Sequence, residues 1–222
     1  MKVNVKLMII GGLCTEALHK CNNPYVSEFL KTSIANVCAR TTDDVAMAHN
    51  GILYSSETEG RSIFDVISDA GKEGVIYSSL DELKAENVVL FENDEEVIDA
   101  VMKREEQADF TLICLGDADR AGHKYGFMSE EYLKAVSNAF DLVKRVRDAY
   151  PFNKFMVMSD RGGHGKVHES GVASDMYIPV ILNRICGVKD KIDTATVFDI
   201  APTVARMLGT EAYGNWKGES FV

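Results

Sequence analysis

Residues 110–123 read FTLICLGDADRAGH, a nearly all-apolar run followed at once by a polar turn with two aspartates and a histidine. Residues 155–168, FMVMSDRGGHGKVH, repeat this arrangement with a glycine-rich turn. Further apolar runs cover residues 5–10 and 177–182. A short run without polar alternation is typical of a strand that is buried on both faces, as in a parallel sheet. These four runs therefore predict the central strands of the fold.

The segments between these runs have apolar residues at helical spacing. Predicted helices cover residues 24–30, 62–70, 95–104, a long stretch after Ser129, and 199–208, and predicted short strands cover residues 74–77 and 88–91. Strands that alternate with helices predict an α/β fold, with a mostly parallel sheet covered on both faces. Because ligands of such sheets bind beyond the carboxyl ends of the strands, we expect functional residues directly after Ile10, Leu115 and Met158.

The composition is that of an ordinary globular protein. The chain has 222 residues, of which 46% are hydrophobic and 26% are charged, and these values exclude the disordered and collagen-like classes. The length fits a single domain over residues 1–222. The formal net charge of −10 argues against binding to a nucleic-acid backbone. Eleven acidic and three basic residues fall between positions 81 and 109, where we expect a solvated surface.

Three sequence features favour a cytoplasmic protein without membrane contact. No apolar stretch approaches the roughly 20 residues that a membrane span needs. The first residues, MKVNVKLMII, have too short an apolar part for a signal peptide and no small-residue cleavage site. The five cysteines are widely spaced and include no C-x-x-C pair, which favours free thiols.

Three of the five histidines follow carboxylates in the two polar turns. One turn has Asp119 and His123, and the other has Asp160, His164 and His168. Carboxylate and neutral imidazole together suit Zn²⁺, Mn²⁺ or Fe²⁺ better than Ca²⁺ or Mg²⁺, which prefer oxygen ligands. Loop histidines and helix-capping aspartates are the alternative for each residue taken singly, but two such clusters at consecutive strand ends favour a metal site.

The glycines in the second turn favour a loop over a helix, although a four-residue spacing would align its candidate ligands on one helix face. His19 and His49 have no partner at ligand spacing, and we expect both on the surface. The segment Thr41-Thr42-Asp43-Asp44 is compatible with a turn, a helix cap or an anion site, of which the turn is the simplest interpretation.

With these motifs the chain resembles the alkaline phosphatase superfamily, and within it the type I phosphodiesterase and nucleotide pyrophosphatase branch. The resemblance covers most of the chain and includes MIIGGLCTEAL, RSIFDVISDAGK, GDADRAGHKYGFMSEEYLKAV, VMSDRGGHGKVH, MYIPVIL and TVFDIAPTVARMLG followed by WKGES. It implies a three-layer α/β sandwich in which two metal ions cleave phosphate or related esters. Asp119, His123 and His168 match the ligands of one ion, and three protein ligands with an open position suit a catalytic zinc site.

At several positions that match ligands of the family's second ion, this chain has other residues. Gly11 stands where the family has an aspartate, and Arg161 stands where it has a histidine after Asp160. Ala46 falls where a nucleophilic threonine is expected, in a region between about residues 40 and 61 that is shorter than usual. Repulsion between a dication and the guanidinium would be on the order of several kcal/mol. We therefore expect one ion per chain, Zn or Mn, with Asp160 and His164 as additional candidate ligands.

Three functions are compatible with these residues. The first is a phosphoric-ester hydrolase with one ion, in which Arg161 stabilises developing charge and the nucleophile is water or a hydroxyl of Thr15, Thr41 or Thr42. The second is a degenerate member that binds a phosphorylated ligand or a partner without turnover. The third is one half of an assembly whose other subunit completes the site. In the first two functions the expected partner is a small phosphorylated molecule.

Overall fold

The computed structural model describes residues 4–42, 44–80, 83, 85, 87–169, 171–188 and 195–222. Its eight strands are β1 Val5–Ile10, β2 Ser33–Arg40, β3 Gly74–Ser78, β4 Val88–Leu90, β5 Phe110–Leu115, β6 Lys154–Met158, β7 Tyr177–Asn183 and β8 Ala195–Thr196. They form one sheet in the order β4-β3-β5-β1-β6-β7-β2-β8. Only β7 runs antiparallel to its two neighbours, β6 and β2, and the other described pairs are parallel. The predicted mostly parallel sheet is confirmed.

Nine α-helices connect and cover the strands within the described residues. They are α1 Ala17–Lys20, α2 Pro24–Thr32, α3 Val45–Tyr54, α4 Ile63–Asp69, α5 Asp94–Lys103, α6 Asp117–Tyr125, α7 Glu130–Ala149, α8 Ala173–Met176 and α9 Ile200–Met207. The side chain of Ser129 caps α7, as the sequence predicts, and that of Ser62 caps α4, because each accepts a hydrogen bond from a backbone N–H in the first turn. None of the described helices is long and apolar enough to cross a membrane.

The sheet separates two hydrophobic cores. Along β1, Leu7 and Ile9 pack with α3, α4 and α9 on one face, and Met8 and Ile10 pack with α2, α5 and α7 on the other. All four side chains are buried, because alternate residues of a strand point to opposite faces and helices cover both. The sandwich of three layers is therefore confirmed, and it places the ends of β1, β5 and β6 side by side.

Six of the named helices and strands are missing from the predicted set: the short α1, α8 and β8, and the longer β2, α3 and α6. Strand β2 alternates between exposed residues and residues that are half-buried or buried, and its apolar residues lie on both sides: Ala35, Val37 and Ala39 pack on the core, whereas Ile34 and Cys38 face solvent. Helix α6 is mostly polar and buries only Ala118 and Gly122, and α3 follows directly after the Thr41–Asp44 segment, in a region for which no helix was predicted.

One surface expectation is wrong in part. Most described acidic residues between positions 81 and 109 are exposed or half-exposed, but Asp94 is 2% exposed and Asp109 is 8% exposed. Both carboxylates accept hydrogen bonds from backbone N–H groups, which explains how they are tolerated inside the protein. Charge density along the chain could not separate these two residues from their solvated neighbours.

Candidate metal centre

The predicted site lies at the carboxyl ends of β1, β5 and β6. Helix α6 begins immediately after β5 and carries Asp119 and His123, which are four residues apart and hence on one helix face. His168 comes from the glycine-rich loop after β6. Parallel strands bring these two segments to the same edge of the sheet, so residues more than 40 positions apart meet there.

Asp119, His123 and His168 form a compact cluster. Oδ1 of Asp119 lies 3.0 Å from Nε2 of His168, and Oδ2 lies 3.6 Å from Nε2 of His123. One ligand atom from each residue falls within 4.8 Å of the other two. Ligands in a tetrahedral zinc site, each about 2.1 Å from the ion, are about 3.4 Å from one another. The three side chains therefore fit a divalent ion both in chemistry and in spacing.

Hydrogen bonds at the other ring nitrogens orient both imidazoles. Nδ1 of His123 donates to the carbonyl oxygen of Lys166 over 2.8 Å, and Nδ1 of His168 donates to that of Gly162 over 2.5 Å. A carbonyl oxygen only accepts, so in each neutral ring the proton resides on Nδ1 and the lone pair on Nε2. Such backbone partners fix the tautomer and ring orientation of metal-ligating histidines.

The cluster requires positive charge between its members. A carboxylate only accepts hydrogen bonds, so an unprotonated Nε2 beside Asp119 would bring two lone pairs together. Burial by itself lowers the pKa of His168, but the hydrogen bond to Asp119 and its charge outweigh burial, so that the pKa is raised above its ordinary value. Either a proton or a metal ion thus satisfies the contact.

Phe127 supports both imidazoles from one side. Its ring centroid lies 5.6 Å from that of His123 and 5.0 Å from that of His168. Two glycines make room for this ring, because a Cβ added at Gly122 or Gly163 would come within 2.4 or 2.5 Å of its carbon atoms. The glycines in the motifs therefore have a packing role, and Phe127 is a site residue that the sequence analysis missed.

The candidate ligand Asp160 lies in a second, more deeply buried group. Its Oδ1 accepts hydrogen bonds from the backbone N–H groups of Gly12 and Arg161, and its Oδ2 lies 3.0 Å from Nε2 of His49. Burial alone would raise the pKa of Asp160, but the hydrogen bond and charge of His49 with the two backbone donors hold it below its usual value. The expectation of a surface position for His49 is wrong, since His49 is 3% exposed.

The sequence resemblance places Gly11, Ala46 and Arg161 at the position of a second ion, and the structure buries two of them, Gly11 and Arg161. Gly11 offers no carboxylate, and a Cβ there would lie 2.8 Å from Cδ1 of Leu80. Ala46 is in the first turn of α3 and is exposed. Arg161 is 4% exposed, so its charge is carried into the protein next to Asp160.

The candidate nucleophiles all donate their hydroxyl hydrogens to backbone carbonyls. Thr15 donates to Tyr177, Thr41 to Asp160, and Thr42 to Asp44. Thr41 is buried and Thr42 is half-buried. Asp44 caps α3 by accepting a hydrogen bond from the backbone N–H of Met47, so this part of the Thr41–Asp44 segment is a helix cap. Asp43 lies outside the described residues.

His164 lies apart from the three-residue cluster. Its Nδ1 is 2.9 Å from Oδ2 of Asp175, which is fully buried, and its Nε2 is 3.7 Å from Glu169. The same Asp175 oxygen accepts the backbone N–H of Glu169. The loop around His168 is therefore anchored to α8 through His164.

One family model matches the sequence. The type I phosphodiesterase / nucleotide pyrophosphatase model matches residues 37–191, which is more than half of the chain and includes every member of the cluster. Among curated proteins, no sequence matches the chain.

Solved structures with low sequence identity share the fold. The C-terminal periplasmic domain of EcEptC from Escherichia coli has 12% identity and a TM-score of 0.67, over 97% of this chain and 84% of that one; this domain is also known as a complex with Zn. A phosphonate monoester hydrolase from Silicibacter pomeroyi has 13% identity and a TM-score of 0.65, over 98% and 75%. An alkaline phosphatase superfamily protein from Vibrio parahaemolyticus has 12% identity and a TM-score of 0.66, over 98% and 69%.

Proposed function

The chain belongs to the type I phosphodiesterase / nucleotide pyrophosphatase family, and from that membership we propose that it hydrolyses phosphoric esters with one divalent metal ion. The ion would be Zn or Mn, held by Asp119, His123 and His168. The substrate would be a small phosphorylated molecule, since three protein ligands would leave one position of a four-coordinate ion open for it.

The observation that carries the proposal is the pair of backbone hydrogen bonds at Nδ1 of His123 and His168. They leave the lone pair of each Nε2 next to the Asp119 carboxylate. A cation between these groups would stabilise this arrangement, whereas without a cation the lone pairs of the imidazoles and the carboxylate repel one another. When bound, the ion would supply Lewis acidity toward an ester oxygen and would lower the pKa of a water molecule.

The residues of the chain would bind the ester and orient it. Arg161 would offset the negative charge that develops on the phosphoryl oxygens, since a guanidinium pairs with phosphate by two parallel hydrogen bonds. Water would be the nucleophile, because Thr15, Thr41 and Thr42 direct their hydroxyl hydrogens to backbone carbonyls and Ala46 has no hydroxyl. In this proposal Arg161, in the loop after β6, would supply substrate affinity and charge stabilisation, and the ion would bind to the adjacent cluster.

Three observations support a single ion. Asp160 already accepts two backbone hydrogen bonds and contacts His49, so that its lone pairs are largely used. Position 11 has no carboxylate to share a second dication with Asp160. The added charge of Arg161 disfavours such an ion further, by several kcal/mol at an effective dielectric constant of about 20.

Elemental analysis of the purified chain, dialysed against Zn²⁺ and separately against Mn²⁺, tests the metal requirement. We expect one ion per chain and hydrolysis of bis(p-nitrophenyl) phosphate or p-nitrophenyl phosphate that chelation abolishes. Two ions, with the second lost in a His49→Ala variant, would show that His49 and Asp160 form a second site and would overturn the single-ion proposal.

Turnover and binding separate the enzyme from a degenerate family member. An ion without hydrolysis of either ester, together with binding of inorganic phosphate by calorimetry, would contradict catalysis and favour the binding function. A chain that binds no ion would contradict the proposed function as a whole.

A further inference from the structure

The first turn of α6 takes its hydrogen-bond acceptors from another part of the chain. A helix begins with backbone N–H groups that have no partner inside the helix. At α6 the N-cap residue is Gly116, which has no side chain to accept them. Oδ1 of Asp94 lies 2.8 Å from the N of Gly116 and 3.1 Å from the N of Asp117. Asp94, the first residue of α5, thus caps α6 from outside.

Ser79, just after β3, completes the contact. Its hydroxyl donates to Oδ1 of Asp94 over 2.5 Å and accepts from the backbone N of Gly116 over 2.9 Å. A Cβ at Gly116 would lie 2.6 Å from the carbonyl oxygen of Ser79, so the helix start fits against β3 only with glycine there. The start of α6 is therefore tied to two neighbouring elements.

Arg120 makes a second connection from within α6. Its Nη1 donates to the carbonyl oxygen of Ser79, and its Nη2 donates to that of Glu92 over 3.2 Å. Arg120 is adjacent in sequence to the candidate ligand Asp119. The helix is thus bonded to the β3 end through both its backbone and a side chain.

Burial and charge suit Asp94 to this role. Its side chain is 2% exposed, and a carboxylate at a helix N-terminus interacts favourably with the helix dipole. Burial raises the pKa of Asp94 to about 6, with the charge of Asp117 in the same direction, although the Ser79 hydroxyl and the two backbone donors act against this. No contact of Asp94 with Asp119 or His123 occurs among the hydrogen bonds and ion pairs of the described residues, so any effect on them passes through the helix.

We infer that Asp94 and Arg120 are positioning residues that fix α6 against β3 and so hold Asp119 and His123 in register with His168. This inference rests on the proposed function for the identity of the bound group, a divalent ion. Residues that orient metal ligands typically change metal affinity by about 10- to 100-fold when they are lost.

The experiment compares Co²⁺ and Zn²⁺ binding by wild type, Asp94→Ala, Asp94→Asn, Arg120→Met and a control, Asp109→Ala. Asp109 is a buried carboxylate at the opposite end of β5, where it accepts the backbone N–H of Glu73. The readouts are the Zn²⁺ dissociation constant and the visible absorption of bound Co²⁺, which reports ligand geometry, with folding checked by circular dichroism.

We expect Asp94→Ala and Arg120→Met to raise the Zn²⁺ dissociation constant about 10-fold and to change the Co²⁺ spectrum. Asp94→Asn should retain most of the affinity, since its Oδ1 still accepts the same three hydrogen bonds. Asp109→Ala should lose stability with unchanged affinity and spectrum. If Asp94→Ala does not fold, Arg120→Met, whose side chain is partly exposed, carries the comparison.

The outcomes separate this inference from the proposed function. Wild-type affinity and spectrum in both Asp94→Ala and Arg120→Met, with an ion bound in wild type, would overturn the positioning role and leave the proposed function intact. An equal loss of Zn²⁺ affinity in Asp109→Ala would mean that all these variants act through general stability, and it would also overturn the positioning role. A wild-type chain without a Co²⁺ spectrum would overturn both.

Discussion

Nε2 of His168 lies 3.0 Å from Oδ1 of Asp119, while Nδ1 of the same ring is engaged by the carbonyl oxygen of Gly162. The ring therefore presents its lone pair to a carboxylate unless a proton or a metal ion lies between them. His123 repeats the geometry on the other carboxylate oxygen. The cluster is built to hold positive charge, and several measurable consequences follow from that.

A divalent ion should stabilise the folded chain. Zn²⁺ at about 100 times its dissociation constant adds about 2.7 kcal/mol to the free energy of unfolding, roughly a 5–10 °C rise in Tm for a chain of this length. We expect His123→Ala to lose this shift and to lose hydrolysis by at least about 100-fold, because one of three ligands is gone. Differential scanning calorimetry with and without Zn²⁺ measures it.

His19→Ala is the matched control for that variant. His19 is exposed near the end of α1 and has no role in the cluster, so its Zn²⁺-dependent rise in Tm should equal that of wild type. An unchanged rise and unchanged turnover in His123→Ala would remove His123 from the site.

The Arg161 and Gly11 positions should act together. Arg161→His is expected to weaken binding of inorganic phosphate about 10-fold, the effect of one lost charge-assisted contact. Gly11→Asp alone should not add a second ion, since the guanidinium remains, whereas Gly11→Asp with Arg161→His should bind two. Calorimetry measures the dissociation constant of phosphate, and elemental analysis measures the number of ions per chain.

Accommodation at position 11 requires a small movement, because an added Cβ lies 2.8 Å from the flexible end of Leu80. Equal phosphate affinity in Arg161→His would dispose of the anion role. Two ions in Gly11→Asp alone would show that the charge of Arg161 does not exclude the second ion.

The buried pair of His49 and Asp160 should stabilise the fold. His49→Ala leaves a cavity and removes one partner of a buried carboxylate, for which we expect a loss of about 2–4 kcal/mol in the free energy of unfolding. Urea denaturation measures the loss. The first ion should bind within a factor of about three of wild type, and a large loss of Zn²⁺ affinity would instead make His49 part of the metal centre.

Gly163 and Phe127 should be energetically coupled. Gly163→Ala places a methyl group 2.5 Å from the Phe127 ring, and overpacking of this kind typically destabilises a protein by about 1–3 kcal/mol. In a double-mutant cycle, Phe127→Ala should relieve most of that loss. Gly214→Ala, where an added Cβ meets nothing within 4 Å, is the control. Additive losses in the cycle would contradict the contact.

The features that could be predicted are those that a short stretch of sequence determines by itself. The central strands are recognisable because burial on both faces demands an apolar run, and Asp119, His123 and His168 are recognisable because few residue types bind a metal. The direction of β7 is not encoded in its apolar run, which would be the same in either orientation. Helix α6 has too few apolar residues to show a helical pattern, since Gly122 takes the place of a buried side chain beneath Phe127.

The missed site residues depend on partners that are distant in sequence. His49 is buried because Asp160, 111 positions away, accepts its hydrogen bond. Asp94 stands in a strongly acidic segment, and its burial is explained only by the N-terminus of α6, 22 and 23 positions further on. Neither of these long-range hydrogen bonds can be recognised from the residues next to His49 or Asp94 in the sequence.

Lys6 predicts an unusual dependence of stability on pH. Its ammonium group lies 4.4 Å from the centre of the Tyr150 ring, and the residue is 2% exposed. Burial, with the charge of Arg104 in the same direction, lowers the pKa of Lys6 to about 8 from 10.5. Between these values the unfolded chain binds the proton more strongly, so this residue's contribution to stability rises as pH increases from about 8 to 10.5.

Replacement of Lys6 isolates this contribution. At pH 7 the charged, buried amine costs at most about 3 kcal/mol. The Tyr150 ring and Oγ1 of Thr111, to which Nζ of Lys6 donates a hydrogen bond over 3.4 Å, offset part of this cost, so Lys6→Met should raise the free energy of unfolding by about 1–3 kcal/mol. At pH 10 the gain should shrink, because the wild-type amine is then neutral. Lys134→Met, on the exposed face of α7, should show no such pH dependence. Urea denaturation at pH 7 and pH 10 measures all three proteins, and a gain that stays constant between the two pH values would mean that the pKa of Lys6 is not lowered by burial.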